Sequence, residues 1–244
     1  MIPEIMFQLI NPPSDNVAVY LSGGIDSAIT LYHVVQKCRN VRTYTASFGV
    51  AADECTKARE VAEWFGTTHT EVPITDFLET LPEILKHFDR PRYNVWPWWL
   101  AQQAHADGIT TAYIGEGSDE IFGYPDRGYL EGWAGQLVYV RPTWDICNQV
   151  HNIDLKAPFT ELHHYMIEPP CKMNTVLEFY KPPMKEWLRK AYHRRIPEWI
   201  LVTPTRPPAM CSYVEFGKKL GLTGDIKQQL QLIATRIWLE VHNG

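Results

Sequence analysis

The sequence predicts an α/β protein with a doubly wound parallel sheet and a C-terminal helical subdomain. In the first half of the chain, short apolar segments bounded by turn residues alternate with longer segments of helical periodicity. Strands that alternate with helices pair in parallel, with helices on both faces of the sheet. In the second half, nine of the 18 prolines fall between Pro158 and Pro208, which favours irregular helices over further central strands. We therefore expect an α/β core over residues 1–144 and a helical, proline-rich covering segment over residues 145–244.

Four segments of the first half are typical of buried strands. They are short, apolar or rich in β-branched residues, and flanked by turn residues: 17–21, 43–50, 69–72 and 111–114. The intervals between them are long enough for the crossover helices that parallel pairing requires.

The segments between these strands have apolar residues at helical spacing. We predict a helix over residues 25–38 and a second that is capped by Asp53 and ends at Gly66, where a left-handed residue suits a helix C-terminus. A third is expected to kink or break early at Pro82, and a fourth covers residues 98–106. Near the end of the chain, an apolar stripe is predicted to dock a last helix on the core: Ile226, Leu230, Ile233 and Ile237.

Composition and charge exclude several classes of protein. The 244 residues carry a net charge of −5, with 45% hydrophobic and 21% charged residues, as in ordinary globular proteins. The acidic balance argues against nucleic acid or an anionic membrane as a partner. No apolar stretch approaches the roughly 18 residues of a membrane span, and the N-terminal residues lack the basic start of a secretory signal. The five cysteines include no closely spaced pair, which is typical of reduced thiols in the cytoplasm.

The strongest sign of function follows the first predicted strand, where residues 22–27 read Ser-Gly-Gly-Ile-Asp-Ser. Glycines in a strand-to-helix turn let backbone N–H groups approach an anion, and serine hydroxyls and the helix N-terminus favour phosphate. Asp26 would repel a bare phosphate, so its presence indicates a magnesium ion between the two. No Gly-Lys-Ser/Thr follows, which excludes the usual nucleoside triphosphatase loop. The alternative is a turn that only caps the helix.

A second glycine-rich acidic loop follows the fourth predicted strand, where residues 115–123 read Gly-Glu-Gly-Ser-Asp-Glu-Ile-Phe-Gly. Because the carboxyl ends of parallel strands lie at the same edge of a sheet, both loops should face one crevice. We therefore expect Asp26 and Asp119 to share one magnesium ion across a polyphosphate. Two such loops at one edge are hard to explain as simple polar turns.

Both loops resemble the signatures of a known superfamily. Residues 22–27 resemble the signature loop of the N-type ATP pyrophosphatases, the PP-loop superfamily. Residues 115–123 resemble the second signature of the synthetase domain of asparagine synthetases and β-lactam synthetases. Three weaker matches lie at 47–50, 156–159 and 185–189. The resemblance covers most of the chain and implies an adenine nucleotide α-hydrolase-like, Rossmann-like fold.

The resemblance implies an ATP-dependent, amide-forming ligase. In such enzymes a substrate carboxylate attacks the α-phosphorus of ATP, pyrophosphate leaves with its charge neutralised by Mg²⁺, and an amine attacks the acyl-adenylate. The resemblance assigns ATP and pyrophosphate to a set of loop residues: Leu21, Ser22, Gly23, Gly24, Asp26, Ser27, Ser47, Val50, Gly115 and Gly117. It assigns the metal to the pair Asp26 and Asp119. It assigns catalysis to three side chains: Lys185 at the transferring phosphate, and Glu116 and Glu120 near the acyl group and amine.

The chain also departs from that family. Residue 2 is isoleucine where the family's glutaminase has its nucleophilic cysteine, and only sixteen residues precede the first predicted strand, so we expect no glutamine-hydrolysing domain. Nitrogen would then come from ammonia, an amine-bearing substrate or a separate glutaminase protein. Residues 122–125 and 203–206 differ from the family pattern where the acyl substrate and amine should bind. The expected partner of ATP is therefore a small-molecule carboxylic acid that the resemblance does not restrict to aspartate.

Two other functions remain open from the sequence. A PP-loop enzyme that modifies a nucleobase in tRNA would fit the first loop, but the negative charge and scattered cysteines count against it. A non-catalytic nucleotide-binding subunit of a complex would fit the small size, whereas the retained carboxylates oppose it.

Overall fold

The protein contains a parallel sheet of five strands. The structure, a computed structural model, describes residues 2–51, 53–122, 136–162, 165, 185–202 and 208–243, without the side chains of residues 136 and 208–211. The strands are β1 (Asn16–Tyr20), β2 (Asn40–Ser47), β3 (Thr68–Pro73), β4 (Thr111–Tyr113) and β5 (Asp154–Lys156). All four strand pairings are parallel, and the order across the sheet is β3-β2-β1-β4-β5.

Helices connect and cover the strands. Those before β5 are α1 (Ile2–Leu9), α2 (Ile25–Val34), α3 (Cys55–Trp64), α4 (Phe77–Leu85), α5 (Pro97–Ala106), α6 (Ser118–Phe122) and α7 (Arg141–Val150), with a π-helical turn at Gln136–Val140. Those after β5 are α8 (Pro158–Leu162), α9 (Glu186–Tyr192), α10 (Glu198–Leu201), α11 (Pro208–Lys219) and α12 (Ile226–Asn243).

Alternate residues of β1 point to opposite faces of the sheet, and both faces are covered by helices. Val17 and Val19 belong to a buried apolar cluster with residues of α2 and α3. Ala18 and Tyr20 belong to a second cluster with residues of α4, α5 and α12. A parallel sheet with helices on both faces is the doubly wound α/β fold that the sequence predicts, and the prediction is confirmed.

The four predicted strands correspond to β1 to β4, whereas β5 is not predicted. This strand has only three residues, and its single apolar residue, Leu155, lies between Asp154 and Lys156. It pairs along the outer side of β4, with Ala112 opposite Leu155. A three-residue edge strand with charged ends has no apolar run from which it could be recognised. The division of the chain at residues 144 and 145 remains a prediction.

The predicted helices form, but the helix predicted over residues 25–38 ends at Val34, and two further details differ. Gly66 adopts the expected left-handed conformation, with φ +67°. The residue that caps α3 is Glu54 rather than Asp53, because the Asp53 carboxylate instead accepts hydrogen bonds from the loop that precedes it. Helix α4 continues through Pro82 to Leu85 and does not break there, since its apolar face is buried on both sides of the proline.

Helix α12 docks on the core as the apolar stripe predicts. Ile226 and Leu230 are buried, and Ile233 and Ile237 pack against the same cluster. The indole N–H of Trp238 donates to the carbonyl oxygen of Phe88 at 2.8 Å, which ties the helix to the end of the α4 region. Among the residues that the structure describes, no helix has the length and apolar character needed to cross a membrane.

The strand order fixes where a ligand can bind. The chain moves from β1 through β2 to β3 on one side and then returns to place β4 on the other side of β1. Strand order therefore reverses between β1 and β4, and open α/β sheets bind ligands at the carboxyl ends of the strands at such a point. The loops that leave β1 and β4 there are the two glycine-rich loops.

Candidate functional site

The two glycine-rich loops contact each other directly. A Cβ atom added to Gly115 would lie 2.6 Å from the backbone nitrogen of Ser27 and 2.7 Å from the carbonyl carbon of Asp26. Only glycine fits at this distance, so the loop after β4 packs on the first turn of α2. The expectation that the two loops share one edge of the sheet agrees with this geometry.

The first loop is tightened by its own hydroxyl groups. The Ser27 hydroxyl donates to the carbonyl oxygen of Gly24 at 3.1 Å and accepts from the backbone N–H of Ser22 at 3.2 Å. Gly23 has φ +73°, and a Cβ atom there would lie 2.7 Å from Cγ of Lys57 and 2.8 Å from the backbone nitrogen of Ala58. The loop is therefore pressed against α3, with Gly24 as the cap of α2.

Asp26 and Asp119 meet around the ammonium group of Lys185. The Lys185 Nζ donates to Oδ2 of Asp26 and lies 2.7 Å from Oδ1 of Asp119. The hydroxyl of Ser118 donates to the other Asp26 oxygen, Oδ1, at 2.6 Å. The Lys185 side chain is fully buried, whereas 19% of the Asp26 side chain and 38% of the Asp119 side chain are exposed. The structure thus brings together three of the residues that the sequence singles out.

The ammonium of Lys185 and the carboxylates of Asp26 and Asp119 neutralise one another. Burial lowers the pKa of Lys185, but the carboxylates of Asp119 and Asp26 outweigh it and raise that pKa above its usual value. Burial raises the pKa of Asp26, and the ammonium of Lys185 opposes this rise. Lys185 is therefore a charged ammonium at neutral pH, stabilised by two acids from different loops.

Glu120 is a buried acid one residue beyond Asp119. Burial, followed by the nearby carboxylates of Glu116 and Asp119, raises the pKa of Glu120 to about 8. A carboxyl group with this pKa exchanges a proton near neutral pH, as a general acid or base requires. Glu116 lies half-buried beside it, and its carbonyl oxygen accepts a hydrogen bond from the Thr160 hydroxyl at 3.4 Å.

The segment after β5 packs against residues 115–122 of the second glycine-rich loop. Gly117 has φ +97°, and a Cβ atom there would lie 2.7 Å from the backbone nitrogen of Thr160. The backbone N–H of Ile114 donates to the carbonyl oxygen of Lys156 at 3.0 Å. The rings of Phe122 and Phe159 pack edge to face with 6.2 Å between their centroids. Two motifs that are separate in the sequence are therefore neighbours in the structure: residues 115–122 and residues 156–159.

The loop after β2 is organised by Asp53, which the sequence analysis assigned to a helix cap. Its Oδ2 atom accepts from the hydroxyl of Ser47 at 3.1 Å and from the backbone N–H groups of Gly49 at 2.8 Å and Val50 at 3.3 Å. Since β2 is parallel to β1, this loop lies at the same edge of the sheet as the loop of residues 22–27. A glycine turn followed at close distance by an aspartate is the signal that could have predicted this role.

Helix α11 packs against the loop after β2. The ring of Phe48 packs against Tyr213 and Phe216, with 5.2 Å and 5.4 Å between centroids. Lys219 Nζ donates to the carbonyl oxygen of Phe48 at 3.4 Å. The loop that carries Ser47 and Val50 is therefore held by both Asp53 and α11.

The chain departs from the family pattern in two segments, at residues 122–125 and 203–206. Of these, residues 123–125 and 203–206 lie outside the described residues.

The carboxylate and hydroxyl oxygens at this edge of the sheet suit a magnesium–nucleotide complex. Within the described parts of the chain, no group of three or more His, Cys, Asp or Glu side chains is placed to hold a metal ion. Mg²⁺ is usually bound by one or two carboxylates together with phosphate and water oxygens, so it does not need such a cluster. Asp26 and Asp119 already converge on one positive charge, and the hydroxyls of Ser22 and Ser27 lie 3.1 Å apart at the start of α2.

A cleft of about 550 Å³ opens at the opposite edge of the sheet. It is lined by the first residues of three strands, Asn16, Asn40 and Thr68, together with Arg39, Arg42 and Phe65 among others. Ligands of open α/β sheets bind at the carboxyl ends of the strands, and the cleft lies at the amino ends. The acidic cluster at the switch point is therefore the better candidate.

Comparisons with known proteins agree with the two loop signatures. A family model described as asparagine synthase matches residues 14–138, just over half of the chain. The chain is 31% identical over 132 residues to a probable glutamine-hydrolysing asparagine synthetase from Dictyostelium discoideum, covering 46% of this chain and 23% of that protein. It is 32% identical over 128 residues to a glutamine-hydrolysing asparagine synthetase from Asparagus officinalis, covering 46% of this chain and 21% of that protein.

The matched part thus spans less than a quarter of the length of these curated relatives. Among solved structures, the NH3-dependent NAD synthetase from Campylobacter jejuni aligns over 80% of this chain and 93% of its own, with a TM-score of 0.34 and 14% identity.

Proposed function

The chain belongs to the asparagine synthase family, and from this premise we propose that it is an ATP-dependent ligase that forms an amide through an acyl-adenylate. One observation carries the proposal: Asp26 and Asp119, from loops at the switch point of the sheet, converge on one positive charge. Such a pair of carboxylates is what a magnesium–polyphosphate complex needs and what a simple helix cap does not.

The chain offers a binding place for each part of ATP. The hydroxyl of Ser22 and the backbone N–H groups of Gly23 and Gly24 would donate to the pyrophosphate, assisted by the N-terminus of α2. The Ser27 hydroxyl would join them by turning away from the Gly24 carbonyl oxygen, to which it donates in the nucleotide-free protein. The loop after β4, through Gly115 and Gly117, closes this phosphate site. The nucleoside would lie along Leu21, Ser47 and Val50. Mg²⁺ would be held by Asp26 and Asp119 and would supply positive charge to the leaving pyrophosphate.

In the first half-reaction, an oxygen of a small-molecule carboxylic acid attacks the α-phosphorus of ATP. The bond from that phosphorus to the bridging oxygen breaks, pyrophosphate leaves, and an acyl-adenylate forms. Lys185 stabilises the negative charge on the transferring phosphate, as a cation in a buried site can. Nothing in this step requires a proton to be moved.

In the second half-reaction, ammonia or an amine attacks the acyl carbon, and AMP leaves with the bond electrons. The attacking nitrogen must lose a proton, and the ionised form of Glu120 would accept it. Glu116 would contribute negative charge beside the incoming amine. The nitrogen donor would be ammonia, an amine-bearing substrate, or ammonia released by a separate glutaminase protein.

The proposal is tested with ATP labelled at the α-phosphate, Mg²⁺, ammonium and a panel of carboxylic acids. Labelled AMP and free pyrophosphate, formed only with one of the acids, are the expected products. Labelled ADP would reject adenylation. Binding of ATP without release of pyrophosphate under any condition would instead support a non-catalytic nucleotide-binding subunit.

A matched pair of variants tests the carboxylate pair. Asp119→Asn keeps the shape of the side chain but removes its charge, so we expect turnover to fall by about two to three orders of magnitude, as when one group that stabilises transition-state charge is removed. Asp15→Asn, at an exposed site away from the loops, should retain full activity. Full activity of Asp119→Asn would show that this carboxylate does not hold the metal.

A further inference from the structure

Lys185 occupies the space between two acids from different loops. Its Nζ atom contacts Asp26 Oδ2 and lies 2.7 Å from Asp119 Oδ1, and its side chain has no exposed surface. Lys185 also has φ +58°, a left-handed conformation that is uncommon for a residue other than glycine. The backbone at the start of α9 is thus held in a less favourable conformation while its side chain reaches the acids.

The same two carboxylates are the metal ligands in the proposed function, on which this inference rests. An ammonium group and a divalent cation cannot both lie between them, because like charges at contact distance repel strongly in a buried site. We infer that the Lys185 ammonium takes the place of Mg²⁺ in the nucleotide-free protein and is displaced towards the phosphates when the magnesium–nucleotide complex binds.

The ion pairs make this exchange conditional on the nucleotide. A free metal ion would have to expel the Lys185 ammonium from the two carboxylates that neutralise it, and an unpaired buried charge is costly. The nucleotide brings phosphate oxygens that can accept the displaced ammonium. Metal and nucleotide should therefore bind with positive coupling, each raising the affinity for the other by the same factor.

The test measures binding of Mn²⁺, a spectroscopic substitute for Mg²⁺, by electron paramagnetic resonance without nucleotide. We expect the wild type to bind Mn²⁺ weakly and Lys185→Met to bind it about tenfold more tightly or better, because the two carboxylates lose their internal cation. Lys190→Met is the matched control: this lysine lies on the same helix, is largely exposed and pairs with Glu186. Its Mn²⁺ affinity should equal that of the wild type.

A second measurement needs no variant. With α,β-methylene-ATP present, the wild type should bind Mn²⁺ about 5- to 150-fold more tightly than without it, the usual range of coupling between two sites. In Lys185→Met the coupling should be smaller, because no ammonium has to be displaced. The double variant Lys185→Met/Asp119→Asn relieves the charge repulsion and should lose the gain in Mn²⁺ affinity.

The outcomes separate this inference from the proposed function. If Lys185→Met binds Mn²⁺ no better than the wild type while both bind the nucleotide analogue, the inference is overturned and the ligase proposal stands. If the wild type binds Mn²⁺ tightly without nucleotide, the inference is also overturned, even where Lys185→Met fails to fold. If the wild type binds no nucleotide at all, the proposed function fails, and the inference, which rests on it, fails too.

Discussion

Glu120 is the residue whose protonation most directly links the site to pH. It is 8% exposed and lies next to Asp119, with Glu116 close by. Burial and these two acids raise its pKa to about 8, so the folded protein keeps a proton on Glu120 that a solvated carboxyl would have lost. The consequence is a stability that depends on pH in a known direction.

We expect the free energy of unfolding to fall as pH rises from about 4.5 to about 8, because over this range folded Glu120 holds a proton and unfolded Glu120 does not. The slope from this group is at most about 1.4 kcal/mol per pH unit. Urea unfolding of nucleotide-free wild type and Glu120→Gln across this range measures it.

The comparison with Glu120→Gln isolates this group. Burial and the neighbouring Asp53 also raise the pKa of Glu54 to about 8, but that residue is present in both proteins and its contribution cancels in the difference. A difference in unfolding free energy that does not change with pH would contradict the assignment.

At the level of elements, the loop of residues 47–50 is held by one carboxylate. Asp53 Oδ2 accepts hydrogen bonds from the Ser47 hydroxyl and from the N–H groups of Gly49 and Val50. Replacing Asp53 removes all three acceptor contacts at once, and the loop proposed to contact the nucleoside loses its fixed shape.

Asp53→Ala is therefore expected to raise KM for ATP about tenfold while kcat changes little, because positioning of the nucleoside is lost and the phosphate site is untouched. Asp53→Asn, which keeps one oxygen that can accept, should recover part of the affinity. Glu63→Ala, an exposed position on α3, is the control. If Asp53→Ala instead lowers both kcat and the melting temperature and leaves KM unchanged, the role of Asp53 is purely structural.

The contact between the two glycine-rich loops leads to another prediction at this scale. Gly115→Ala would place a methyl group 2.6 Å from the Ser27 nitrogen, so the loop after β4 must move away from α2. We expect a loss of about 1–3 kcal/mol in stability, typical of overpacking, together with loss of nucleotide binding. The measurements are denaturant unfolding and titration with a fluorescent ATP analogue.

Gly108→Ala serves as the comparison, since nothing lies within 4 Å of its added Cβ and only its positive φ is affected. It should lose some stability and retain nucleotide affinity. If Gly115→Ala also retains that affinity, the contact between the loops does not shape the phosphate site.

Elements differ in how far the sequence predicts them. Helices with an apolar stripe, such as α12, and strands with apolar runs, such as β1, follow from side-chain periodicity alone. Strand β5 could not be predicted, because it depends on pairing with β4 rather than on its own residues. The role of Asp53 in the loop of residues 47–50 is difficult to predict for a different reason, because a helix cap and a loop anchor require the same residue type in the same place.

At the scale of the whole molecule, the sequence predicts the position of the site better than its internal contacts. Parallel strands have their carboxyl ends at one edge, so the meeting of the loops after β1 and β4 follows from the order of elements. The ammonium of Lys185 between Asp26 and Asp119 does not follow from it, because the path of α9 back to this edge depends on packing in the second half of the chain. A motif match could place Lys185 near phosphate, but not in the space expected for a metal.

The contact between Lys185 and Asp26 joins residues 159 positions apart in the chain. Closing so large a loop costs entropy before the ion pair repays it, so we expect this contact to form late in folding. A chain that has formed only the strands β1 to β4 would therefore carry its two acids without their internal counter-ion. We therefore expect divalent ions to bind those two acids more readily before α9 docks than in the native, nucleotide-free protein.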